Sequence, residues 1–203
     1  MGLILKIFMV LLCLFLKKIA KQIGKDHQIS QQLWDSGIYE ARILAGLVGK
    51  PNKVTKRQME KWVNDFDSWG VCDSICSNLF DKTQFAYSKA FEWSKRKEEF
   101  IKGVGLVMIA CLSVHDKEAN NKKFEQFFPI IKREADDQRN FIRKAINWAL
   151  RQIGKRNIVL NKKAIVVAKQ IQKMDSKSAK WIANDALREL TSEAVQKRLV
   201  AKK

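Results

Sequence analysis

The chain has 203 residues, 46% of them hydrophobic and 30% charged, and a formal net charge of +18. That length suits one domain of ordinary core size, and the composition excludes a disordered chain. The surplus of Lys and Arg selects an acidic partner, nucleic acid or an anionic membrane surface.

Residues Leu3 to Leu16 are apolar apart from Lys6, and Lys17, Lys18, Lys21 and Lys25 follow. A membrane span needs about 20 such residues. A signal peptide carries its charges before the apolar run and a small-residue cleavage site after it, and neither is present. Position 6 is Lys, which excludes the myristoylation pattern. Three readings stay open: a buried terminal helix, a weak membrane anchor, or a start created by truncation of a longer chain.

Beyond this segment the pattern is helical. Only two prolines occur, Pro51 and Pro129, and no long stretch alternates as a strand would. Helix-like segments begin near Ile38, Trp69, Phe100, Phe141 and Trp181, roughly 30 to 40 residues apart, the spacing of two-helix repeats. Loops are expected at Gly49 to Asn52, Asp116 to Asn121, Gly154 to Asn157 and Met174 to Ser178, with Asp175 or Ser176 capping the last repeat.

Two of these helices place a ring on the wrong side. Ile142, Ala145, Ile146, Ala149, Leu150 and Ile153 form one apolar stripe. Trp148 lies opposite it, with Lys144, Arg151 and Lys155. In the last repeat Ala183, Ala186, Leu187 and Leu190 form the stripe, while Trp181 projects with Lys177, Asp185 and Arg188. Rings interleaved with cations suit a polyanion, because cations neutralise phosphates and aromatic faces accept bases. A partly covered ring packed on a neighbour is the other reading of Trp148. Trp34, Trp62 and Trp93 are expected to pack in the core.

Cys72 and Cys76 are four apart, and Cys13 and Cys111 are distant. No zinc pattern results, and all four read as small buried hydrophobes in a reducing, cytoplasmic setting. His27 and His115 are isolated, and no Ser-His-Asp set or glycine-rich phosphate loop is present. No metal and no cofactor is expected.

Three stretches carry a family resemblance: Leu33 to Arg42, reading LWDSGIYEAR; the DSWGVCD core Asp67 to Asp73; and DDQRNF from Asp136 running into AINWALR, which ends at Arg151. From about Leu16 onward the chain resembles the AlkD-like DNA alkylation repair glycosylases. The resemblance implies an all-α, right-handed superhelical solenoid of HEAT-like repeats over residues 17–203, with 1–16 an atypical apolar segment and the N-terminus truncated. It implies a monofunctional glycosylase that excises positively charged N3- or N7-alkylated purines from duplex DNA in base excision repair. The protein would act as a monomer, without stable membrane association.

Asp73 would stabilise the oxocarbenium-like sugar and position water, with Trp69 one turn away and Trp148 as the second ring. Lys102, Lys144, Arg151, Lys155, Lys177, Trp181 and Arg188 would contact DNA. Ordinary roles stay open for two of these residues: a surface carboxylate for Asp73 and a core ring for Trp69. Asp136 and Asp137 are expected to cap the helix of Trp148. Where family members commonly carry an arginine, this chain has Gly103 beside Lys102. A catalytically silent HEAT-like module that binds DNA structure or a protein is the alternative. A truncated chain that does not fold stably is a third reading.

Overall fold

The apolar spacing becomes helix after helix, and the polar residues between them mark where each begins. A computed structural model describes the backbone of residues 3–201 and the side chains of residues 11–201. All regular structure among the described residues is helical. The chain divides into two compact units, one ending at Phe85 and the other starting at Ala86.

The first unit contains α1 (Leu3–Ile23), α2 (His27–Asp35), α3 (Tyr39–Val48), α4 (Lys56–Asn64) and α5 (Trp69–Asn78), with short 3-10 turns at Pro51–Lys53 and Phe80–Lys82. Asp26 caps α2 by accepting from the backbone N–H groups of Gln28 and Ile29, and Thr55 caps α4 through Gln58 N–H. Both α1 and α2 pack on α3, and α3 packs on α5. The centre is a stack of Trp34 on Trp62, with ring centroids 4.1 Å apart and planes 6° from parallel. Both rings are buried, as the sequence predicts. The Trp34 indole N–H donates to Asp65 at 2.9 Å, so the polar edge of the ring is not wasted in the core.

The apolar N-terminal stretch joins a single helix, α1, that continues across the predicted boundary at 16/17 to Ile23. Leu16 is buried, whereas Leu11, Leu14 and Phe15 remain exposed. No helix among the described residues is long and apolar enough to cross a membrane. Cys13 is exposed, correcting the expectation that all four cysteines are buried; Cys72, Cys76 and Cys111 are.

The second unit contains α6 (Ala86–Trp93), α7 (Glu99–His115), α8 (Asn121–Glu125), α9 (Phe128–Glu134), α10 (Asn140–Gly154), α11 (Ile158–Gln172), α12 (Lys177–Leu190) and α13 (Glu193–Val200). Helix α7 is apolar nearly all round, and every residue from Gly103 to Ser113 is buried. Its Gly105 admits α6 at close range, since a Cβ there would lie 2.3 Å from Ser94 N. Helix α10 packs on α7 and on α12, and α11 packs on α12. The stripe Ile142, Ala145, Ile146, Ala149, Leu150 and Ile153 is buried as its spacing predicts. Asn157, Ser176 and Ser192 cap α11, α12 and α13. The loop predicted at Met174 to Ser178 is therefore shorter, because α12 already starts at Lys177.

The predicted cap of α10 is a correction. Its N-cap is Arg139, which makes no side-chain cap bond. Asp137 lies two residues upstream and accepts instead from the Arg139 backbone N–H and guanidinium. Asp136 is exposed.

Candidate nucleic-acid interface and carboxylate site

Helix α5 carries two of the predicted site residues within the first unit. It starts at Trp69 after Ser68, whose side chain makes no cap bond. Val71, Cys72, Ile75 and Cys76 turn inward and are buried. That inward face leaves Trp69 half-buried and Asp73 exposed one turn later. Among the described residues, no hydrogen bond or ion pair reaches the Asp73 carboxylate.

Asp73 is crowded by protein although water still touches it. Burial pushes its pKa up to about 6. The exposed surface and this upward shift pull in opposite directions, and a carboxylate open at its tip but poor in surrounding solvent satisfies both. It remains mostly ionised at pH 7.

Tyr39, to which the sequence reading gave no role, lies against the same turn. A Cβ on Gly70 would sit 2.3 Å from the Tyr39 hydroxyl oxygen, so only glycine admits that approach. No spacing rule would have found it, since Tyr39 belongs to another helix.

The second unit holds the remaining candidates. Trp148 is half-buried on α10, on the side away from the apolar stripe. Lys144 is exposed, with its ammonium 5.6 Å from the Phe141 ring centroid. Arg151 and Lys155 lie along the same helix, but α12 supplies their partner. Glu189 accepts from Arg151, and from Lys155 at 2.6 Å. Burial acts against the Glu189 charge, yet Lys155 and Arg151 hold its pKa below the ordinary value.

Trp181 is 38% exposed, and the Arg143 guanidinium lies 4.8 Å from its ring centroid. One face of that ring is thus shared with a cation the sequence reading did not name. Arg188 pairs with Asp185, and Lys177 is exposed with no ion pair among the described residues. Lys102 is held by Glu134 and by Asp137 at 3.4 Å. Beside the buried Gly103, this lysine is thus tied to two carboxylates of its own unit.

The predicted cations therefore fall into two sets. Lys144 and Lys177 have no ion pair among the described residues, while Lys102, Arg151, Lys155 and Arg188 are ion-paired internally. For Arg151 and Lys155 the available signal was the i, i+4 pair of Asp185 and Glu189 on α12, since two carboxylates one turn apart repel and are relieved by cations on a neighbouring helix. No group of three or more His, Cys, Asp or Glu suited to a metal ion occurs among the described residues.

The geometry can be set beside known proteins. A solved structure described as a new family of proteins related to the HEAT-like repeat DNA glycosylases, with affinity for branched DNA structures, superposes with a TM-score of 0.74 at 19% identity. The match covers 90% of this chain and 79% of that one. The likeness shows the fold, an all-α array of HEAT-like repeats. An uncharacterized protein of Listeria innocua is 26% identical over 163 residues, 78% of this chain and 70% of its own length. The family model of the DNA alkylation repair enzymes matches residues 14–190. The chain belongs to the DNA alkylation repair enzyme family.

Proposed function

We propose that the protein is a monofunctional DNA glycosylase that releases positively charged N3- or N7-alkylated purines from duplex DNA, as the first step of base excision repair. The observation that carries this reading is Asp73: a carboxylate without a protein partner among the described residues, its pKa raised by burial, one turn from a half-buried Trp69. In a chain of net charge +18, an unpaired carboxylate beside a ring suits a developing cation better than a phosphate.

Breaking the C1′–N bond sends its electron pair to the base and cancels the positive charge that made it a good leaving group. The sugar becomes oxocarbenium-like, and Asp73 stabilises that charge while water adds to C1′. The proton released by the water passes to the carboxylate and then to solvent. The ring face of Trp69 attracts the cationic base by about 0.5 to 2 kcal/mol, and the family resemblance implies the same role for Trp148. Lys144 and Lys177 supply unpaired positive charge toward the DNA backbone.

The test is release of 7-methylguanine from methylated duplex DNA by wild type and by Asp73→Asn, with DNA affinity measured on both. Release by wild type alone, with equal affinity, supports the enzyme. A folded wild type that binds DNA without release refutes it.

One observation favours a second reading, a non-catalytic module that recognises DNA structure. The related protein of the same fold is described by its affinity for branched DNA, and here Lys102 is tied to Glu134 and Asp137. A marked preference for four-way junctions over duplex, together with no base release, selects that reading.

A further inference from the structure

A second site lies in the unit that starts at Ala86. The C-terminal ends of α7 and α10, the loop after α7, the start of α11 and the last helix α13 border a solvent-open cavity of about 320 Å³. That volume is at the lower end of the range for small-ligand sites, about 300 to 1,000 Å³. Lys117, Lys155, Arg156 and Arg198 line it together with Gln152 and Asn157, and no Asp or Glu does.

Arg156 is built into the wall. Its guanidinium sits 3.8 Å from the Phe124 ring centroid and donates to the backbone oxygens of Ser113 at 2.7 Å and Ala119 at 3.3 Å. Burial lowers its pKa from the ordinary value, with Tyr87 and Asp116 acting against that. A cation partly stripped of water gains from an anion.

Glu118, on the loop between Lys117 and Ala119, is exposed and does not line the cavity, and two other nearby carboxylates are already engaged. Glu189 is held by Lys155 and Arg151. Asp116 accepts from the Tyr87 hydroxyl at 2.8 Å and from Ala119 N–H at 3.0 Å. Lys117 and Arg198 are exposed, and neither has a hydrogen bond or ion pair among the described residues. Asn157 caps α11, so the positive end of a 15-residue helix borders the same cavity.

We propose that this cavity binds a phosphate group, with Arg156 and Lys155 as its fixed wall and Lys117 and Arg198 as cations that close on the anion. The group is presented either by the DNA backbone or by a free phosphate compound. The site does not depend on Asp73, so its failure and that of the glycosylase reading are separate results.

The probe is pyrophosphate, titrated calorimetrically into wild type, into Lys117→Ala/Arg198→Ala, and into Lys169→Ala/Lys173→Ala as a charge-matched control on α11 and the turn after it. The cavity variant is expected to bind about tenfold more weakly or worse, with the control close to wild type. Duplex binding by the same proteins identifies the source. If the backbone supplies the phosphate, the cavity variant also loses duplex affinity, and its salt slope shrinks by about one unit. Unchanged duplex affinity assigns the site to a free phosphate compound. No pyrophosphate binding by wild type, or equal losses in cavity variant and control, overturns the proposal.

Discussion

Replacing Asp73 by asparagine is expected to stabilise the protein while removing its proposed chemistry. The ordinary carboxyl pKa of 3.8 applies in the unfolded chain, and burial raises it to about 6 in the folded one. Between those values the folded state holds the proton more tightly, so stability falls as pH rises through the window and the full penalty is present above it. Two pKa units correspond to at most about 3 kcal/mol. The Asp73 side chain still meets water, and solvent screening reduces this to about 1 kcal/mol.

Asparagine keeps the shape and carries no charge. At this chain length about 1 kcal/mol moves Tm by about 2 to 4 °C. Melts of both proteins from pH 4 to pH 8 should show nearly equal Tm at the acid end and a gain of that size for Asp73→Asn at pH 7.5. A variant that is equal or less stable at pH 7.5 would mean the carboxylate is favourably solvated, and the reasoning from burial would fall.

Three further outcomes follow from the same geometry. Trp69→Ala and Trp148→Ala should each slow single-turnover release of 7-methylguanine about 2- to 30-fold, with a smaller effect on release of a neutral base; equal losses on both would remove the cation–π role. Trp34→Ala should lower unfolding free energy by about 3 to 5 kcal/mol in urea titrations, since it empties the stack on Trp62 and leaves Asp65 without its indole donor. A loss below about 1 kcal/mol would contradict that packing. Glu189→Gln should free Lys155 while leaving Arg151 with Asp185 at 3.6 Å, tighten duplex binding at low salt and steepen its salt slope by about one unit; an unchanged slope would remove this face from DNA binding.

The part of the fold legible in the sequence was the part governed by local periodicity. The stripe from Ile142 to Ile153 and the buried Trp34, Trp62 and Trp93 follow from helical spacing and ring size, and both were readable. The capping role given to Asp137 failed because a helix start depends on backbone geometry at one residue, and α10 begins two positions later than the aspartate can cap. Pairing failed more broadly. Glu189 lies 38 residues from Arg151 and 34 from Lys155, and Glu134 lies 32 from Lys102. Outward position on a helix showed that these cations were available, but not that a neighbouring helix already holds them. The approach of Tyr39 to Gly70 was illegible for the same reason, since it joins two helices through a glycine whose only signal is a missing side chain.

The central claim is that Asp73 acts as a carboxylate in base release. Its most direct measurement is the single-turnover rate of 7-methylguanine release from methylated duplex by wild-type protein between pH 5 and pH 8. The rate should climb with pH through about 6, where Asp73 loses its proton, and level off above it. A rate that is flat across this range, or no release from DNA that the protein demonstrably binds, would contradict the account.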